Sequence, residues 1–333
     1  MRAPRYAVLL CALTSIACGA ANAADLLPPV SAVWKVSENF KGNKARQNLS
    51  GAACTTKAPP FASCLIVNDE EKYAQFFSIT DTTLVPGAVI RLRDKDVEGD
   101  PDGEGAAYDD GFFYVTGSHG RARNNKEKSS VPSYVVFRIA VDKATGKPAE
   151  VSEDKVAGVE ASTRLHDVIH DSEGIGPFFN AFLDQNGANI EGIAVKGGRM
   201  YLGFRGPSIA GEAFILSVKA AAVFTKDDMT EAKVNRLRLG NETGIRDLAA
   251  VDGGILILSG PVNDQKVTPA IFFWNEQTDD LRLLAQLEIP DKLKEFKAET
   301  LLILRDEKDK PFRALVMFDG PENGGPTEYL VPR

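Results

Sequence analysis

Histidine is almost missing from this sequence, with three in 333 residues, and cysteine is scarce, with four. Two of those cysteines, Cys11 and Cys18, fall inside the first 23 residues. So thin a supply leaves little from which to build a His-rich metal centre or a thiol enzyme. No Gly-x-x-x-x-Gly-Lys-Ser/Thr loop and no Gly-x-Ser-x-Gly elbow is present, which removes two common phosphate and nucleophile sites. Basic residues are outnumbered, 39 Lys and Arg against 46 Asp and Glu, for a net charge of −7. That balance argues against nucleic acid or anionic lipid as the main partner. Beyond the N-terminus no apolar run approaches the ~20 residues a membrane helix needs.

What the N-terminus does have is an export signal. Arg2 and Arg5 precede an uncharged, largely apolar stretch from Tyr6 to Cys18, and Ala21-Asn22-Ala23 gives the small-x-small pattern of a cleavage site. Residues 1–23 are therefore read as a signal peptide, and 24–333 as one exported domain, periplasmic or secreted. Lipoprotein processing at Cys18 is the alternative; polar Ser15 fits that pattern poorly. The signal holds two arginines and no acid, so the mature chain is more acidic still. Only Cys54 and Cys64 remain, on either side of Pro59-Pro60. In an oxidising compartment two such cysteines predict one disulfide, worth ~2–3 kcal/mol on the chain-entropy model.

A short signature recurs along the chain. It reads Asn48-Leu49-Ser50-Gly51-Ala52-Ala53, Asp102-Gly103-Glu104-Gly105-Ala106-Ala107 and Asn189-Ile190-Glu191-Gly192-Ile193-Ala194, with weaker copies at Gly244–Ala249 and Lys297–Leu302. The third positions are Ser50, Glu104, Glu191, Arg246 and Glu299, at steps of 54, 87, 55 and 53 residues. Near-equal steps with one oversized step describe a repeat array carrying one insertion, near 166–188. Each unit continues as short β-rich runs divided by Gly, Pro and Asp turns, about four per unit. The expectation is an all-β propeller of four-stranded antiparallel blades, most simply five. Six blades, or a stacked solenoid, are the alternatives. The last unit has three strands, and one spare segment, Ala32–Val36, precedes the first. Pairing of that N-terminal strand with the C-terminal blade, around Glu328–Val331, would close the ring.

The Glu-Gly-(Ile/Ala)-Ala opening, the Gly117-Ser118-His119-Gly120 corner and the Phe204-Arg205-Gly206-Pro207 corner resemble domain-of-unknown-function family 3616. That family groups with phytase-like and esterase-like propeller domains. The resemblance covers nearly the whole mature chain and implies a propeller, without supplying a reaction.

In a propeller the first strand of each blade lines the central channel, so the third signature positions should meet around one ring. Glu104, Glu191, Glu299 and Arg246 then gather at one mouth, joined from the second-strand corners by His119, Arg205 and Asp319. Charges so crowded are costly unless paired with one another or with a ligand. A small charged ligand, a divalent cation or a protein partner could sit there. The other outcome is an Arg–Glu network that only holds blades in register. Asp94, Asp96, Glu98, Asp100, Asp102 and Glu104 form an acidic alternation whose repulsion Ca²⁺ would relieve, with Asp100, Asp102, Glu104 and Glu191 as the metal set. Solvated loops are the plainer account of such a run. Asp184–Asn189 is a second oxygen-rich loop. His166 and His170, four apart, would share one helix face and could grip a transition metal.

Two functions follow. One is an exported binding propeller without catalysis. The other is a calcium-assisted hydrolase of a phosphate ester or lactone, with Arg205 or Arg246 stabilising developing negative charge. The ring lacks an evident nucleophile, which favours binding.

Overall fold

The structure, a computed structural model, describes residues 26–121, 131–227, 229 and 231–333. The expected signal peptide, with Cys18 and the cleavage point before Ala24, lies outside the described residues.

Among the described residues, twenty strands form five sheets arranged as the blades of a β-propeller. After β1 (Lys35–Val36), blade 1 holds β2 (Leu49–Cys54), β3 (Cys64–Asn68), β4 (Tyr73–Thr80) and β5 (Thr83–Arg91). Blade 2 holds β6 (Gly103–Asp109), β7 (Phe112–Gly117), β8 (Val136–Ala140) and β9 (Val159–Ser162). Blade 3 holds β10 (Asn189–Lys196), β11 (Arg199–Gly206), β12 (Glu212–Lys219) and β13 (Lys233–Arg238). Blade 4 holds β14 (Thr243–Val251), β15 (Gly254–Pro261), β16 (Ala270–Asn275) and β17 (Asp280–Gln286). Blade 5 holds β18 (Lys297–Arg305), β19 (Phe312–Asp319) and β20 (Thr327–Val331). Within each blade neighbouring strands are antiparallel. The inner strands β2, β6, β10, β14 and β18 touch in turn around a closed ring.

The second strand of each blade reads as a nearly unbroken apolar run because both of its faces are covered. In β15, Ile255 and Ile257 pack towards blade 3, while Leu256 and Leu258 pack towards blade 5. In β19, Ala314, Val316 and Phe318 face blade 4, and Leu315 and Met317 face blade 1. Five apolar clusters result, one between each pair of adjacent blades. Two inner hairpins turn on two residues with positive φ at both positions, Asp110-Gly111 and Gly197-Gly198. That is the turn whose twist suits paired strands. Cys54 and Cys64 stand directly opposite one another on β2 and β3 and are joined by the expected disulfide.

Closure differs in detail from the sequence expectation. The N-terminal segment does meet the C-terminal blade: the Val30 N–H donates to the Glu328 carbonyl at 2.9 Å. The ladder expected along Ala32–Val36 forms elsewhere, since β1 pairs in parallel with Thr83–Leu84 at the rim of blade 1. Leu27 lies further back against Gln286 and Glu288 at the rim of blade 4. The segment is thus a strap over blades 4, 5 and 1. Trp34 explains the crossing, because its ring is buried in the cluster between blades 5 and 1.

The long step between blades 2 and 3 holds α1 (Leu165–His170) and two short 3₁₀ turns, Gly176–Phe178 and Leu183–Gln185. Leu165, Ile169, Ile175 and Phe179 anchor it into the cluster between those blades. Among the described residues, no helix is long and apolar enough to cross a membrane.

Candidate functional site at the channel mouth

Each inner strand carries a register shift at the same place. The shifts fall at Ser50, Glu104, Glu191, Arg246 and Glu299, the third signature positions. A β-bulge leaves one residue unpaired and re-aims its side chain. Here five bulges bring Ser50, Arg246 and the three glutamates to one end of the channel. The residue after the bulge is Gly51, Gly105 or Gly192 in the first three blades. A Cβ on Gly51 would stand 2.6 Å from the Cα of Gly105, so the inner strands pass too closely for a side chain there. In blade 4 that place is held by Asp247, which accepts the N–H groups of Leu248 at 2.8 Å and Leu301 at 2.7 Å. Burial pushes its carboxyl well up.

The mouth is a cavity of about 320 Å³ lined by Asp69, Asp102, Glu104, Glu191, Arg205 and Glu299, with Arg121, Leu183, Asn189, Lys297 and Asp319. The carboxyls that pair with arginine and those that do not come from different blades. On one side Arg205 Nη1 donates to Glu191 Oε1 at 2.8 Å, and Arg205 Nε donates to the Val262 carbonyl at 2.6 Å. Beneath it Arg246 pairs with Glu191 at 3.3 Å and also with Glu299. Burial, with Arg205 beside it, lowers the Arg246 guanidinium to about 10.

On the other side Asp69, Asp102 and Glu104 have no Lys or Arg ion pair among the described residues. Burial, reinforced by Asp102 and Asp319, pushes the Asp69 carboxyl up to about 8. Burial raises Asp102 to about 6 despite a hydrogen bond from Ser118. Glu104 is raised well above the usual range by burial, then by Glu191, Asp102 and Asp69. Asp102 also sits at φ 54°, a conformation uncommon for a residue with a side chain.

The expected ring therefore forms around Glu104, Glu191, Glu299, Arg246, Arg205 and Asp319. His119 does not join it. The residue in register with Arg205 and Asp319 is Ser118, and its counterpart in blade 1 is Asp69. His119, one place further, is buried with its ring stacked on Tyr134 and its Nδ1 against the Gly117 carbonyl at 3.0 Å. Asp69 went unread because the blade 1 corner lacks the Gly-Pro pattern of the later corners. Counting one residue past the partner of the second signature position would have found it.

The calcium set is not assembled as expected. Asp100 is exposed in the loop before β6 and is not part of the mouth. Asp94 accepts the Val156 N–H and Lys95 pairs with Asp154, so the acidic run is tied to the neighbouring loop. Among the described residues, no group of three or more His, Cys, Asp or Glu is placed to hold a metal ion. Of the Asp184–Asn189 loop, Asn189 reaches the mouth, as does Leu183 just before the loop, while Asp184 is exposed. His166 and His170 do share a face of α1, with parallel rings 6.4 Å apart, each bonded to the aspartate that follows it.

A family model described as "Protein of unknown function (DUF3616)" matches residues 64–328, which includes every lining residue of the mouth. The chain belongs to the DUF3616 family. No curated protein matches the sequence. Solved structures with a similar course include a glutaminyl cyclase from Myxococcus xanthus, 11% identical, covering 92% of this chain and 98% of that one at a TM-score of 0.44. A PQQ-bound aldose sugar dehydrogenase from Streptomyces coelicolor is 10% identical, covering 88% and 96% at a TM-score of 0.39. At these identities the likeness says nothing about the chemistry of this DUF3616 chain.

Proposed function

We propose that this DUF3616 protein is an exported binding propeller whose channel mouth holds a small ligand by a positively charged group. One observation carries the reading. Glu191 and Glu299 are each met by an arginine, whereas Asp69, Asp102 and Glu104 face the same cavity with no basic ion-pair partner among the described residues. Carboxyls crowded out of water hold one another's protons on, and a cation placed among them relieves that cost. A volume of about 320 Å³ suits a metabolite-sized ligand. The Cys54–Cys64 disulfide fits an oxidising compartment.

Thermal denaturation at pH 8 tests the reading, with calcium chloride and ethylammonium chloride as probes. A ligand held by the native state alone raises the midpoint by mass action. At least one probe should raise it for the native protein and leave the Asp69→Asn/Glu104→Gln double variant unmoved. No shift from either probe at millimolar concentration would overturn the reading.

A calcium-assisted hydrolase of a phosphate ester or lactone is the second reading. The observation favouring it is Arg205 Nη2, a buried donor with no partner beside the acid wall, placed to meet developing negative charge. Hydrolysis of such esters that stops on chelation would support it.

A further inference from the structure

The unspent hydrogen bonds of the mouth fall into two sets of opposite kind. Half of the buried side-chain polar atoms left without a partner, among the described residues, belong to this cluster. Arg205 Nη2, Arg246 Nε and Arg246 Nη1 are donors. Asp69 Oδ1 and Asn189 Oδ1 are acceptors, and Ser50 Oγ can serve as either. Arg205 is only 6% exposed and Arg246 1%, so bulk water does not satisfy them. Two bonds, to Val262 and Glu191, fix the Arg205 plane and leave Nη2 as its free prong.

We infer that the ligand is one small ampholyte, an amino-substituted carboxylic acid, with its carboxylate on Arg205 and its ammonium group on Asp69 and Glu104. This rests on the channel mouth being the binding site. A carboxylate is the acceptor that a buried guanidinium N–H takes best, through a charge-assisted hydrogen bond. A simple cation would satisfy the acid wall and leave the Arg205 prong unused. A simple anion would use the prong and leave Asp69 and Glu104 without a cation, in a mouth whose lining acids Asp69, Asp102, Glu104, Glu191, Glu299 and Asp319 outnumber Arg121, Arg205 and Lys297. A molecule carrying both charges meets both sets and brings no net charge of its own. The raised carboxyls of Asp69 and Glu104 add that such a ligand displaces protons as its ammonium group enters.

Titration calorimetry on the whole mature chain with α,ω-amino acids from glycine to 6-aminohexanoate tests this. The n-alkylamine and the alkanoate of each length serve as controls. One amino acid should bind at least about tenfold tighter than both of its controls, a difference of about 1.4 kcal/mol. Its heat should change between phosphate and Tris buffers, reporting proton release. Arg205→Lys should bring that amino acid down to the affinity of its amine. Arg205→Gln stands in if the lysine variant has a lowered melting point. Asp69→Asn/Glu104→Gln should lose amine and amino acid alike. If the amine or the alkanoate binds as tightly as every amino acid, the ampholyte is overturned while the mouth remains a binding site. If amines, amino acids and calcium all fail to bind, the mouth reading itself falls, and the ampholyte with it.

Discussion

The indole Nε1 of Trp34 donates to Oε2 of Glu328 at 2.9 Å, joining two residues 294 positions apart. Glu328 also receives Arg313 through Nε at 2.6 Å and Nη2 at 3.0 Å, so the carboxylate is held from both sides. Trp34 is 8% exposed and sits with Leu49, Leu84, Leu302 and Leu315 between the first and last blades. It is the point at which the strap leaves blade 5 and joins blade 1.

Removing the strap should therefore loosen the ring as a whole. Trp34→Ala should cost about 3–5 kcal/mol, the range for large aromatic truncations in a core. Deleting residues 26–36 should cost more and expose the edge of β20, with aggregation as the result. Differential scanning calorimetry and light scattering measure both effects. An unchanged midpoint and a clear solution after the deletion would show that the strap is a tail.

The blade pattern was legible because most repeats obey the same local rules: a Gly-bearing inner strand in blades 1 to 4, a largely apolar second strand throughout, and a Gly-Pro corner in blades 3 to 5. The path of the strap was not. Ala32–Val36 reads as a strand by composition, but its partner is chosen by where Trp34 finds a cavity, and that cavity is made by blades 1 and 5 together. Among the described residues, the insertion forms only the short helix α1 and 3₁₀ turns at Gly176–Phe178 and Leu183–Gln185. Phe179 is spent as an anchor in the cluster between blades 2 and 3.

His119 should set the acid limit of stability. Burial lowers its imidazole to about 4, and its Nε2 has no partner. A folded pKa below the unfolded value of about 6.5 gives stability that is full above pH 6.5 and lost as pH falls through 4. The groups facing it are Tyr134 and, beyond, His166 on α1, which opposes a second positive charge. The loss should be on the order of 3 kcal/mol. His119→Asn tolerates the positive φ and cannot protonate, so its denaturation midpoint should vary less between pH 6.5 and 4. An equal pH slope in both proteins would assign the acid limit to other groups.

At the mouth, the third signature positions were legible as a ring because a bulge recurs wherever the signature does. The register of the corners was not, because His119 is a more conspicuous residue than Ser118 and Asp69 lies in the least regular corner. Strand register, not side-chain identity, decides which corner residue enters the ring. The sorting of charge into an arginine side and an acid side also escaped the sequence, since it depends on which blades are neighbours in the closed ring.

Asp69 makes the acid side measurable without any ligand. Its carboxyl is raised to about 8 by burial, then by Asp102, Asp319, Glu70 and Glu191. A folded pKa raised above the unfolded carboxylate value means that the folded state holds a proton the unfolded chain gives up. The stability it lends is fully present below about pH 4 and is lost as pH rises through about 8. The empty native protein should therefore melt lower at pH 8 than at pH 6, the opposite direction to His119. Asp69→Asn keeps the shape and cannot ionise, so its melting point at pH 8 should exceed that of the native protein by about 3–6 °C. Thermal melts of both proteins from pH 5 to 9 in one low-salt buffer series give the comparison. A cation at the acid side should erase the difference by raising only the native protein, because it stabilises the ionised carboxyls that the variant lacks. If the two proteins melt in parallel across that range, Asp69 is ionised already at neutral pH. The crowding of Asp69, Asp102 and Glu104 would then impose no cost for a ligand to relieve.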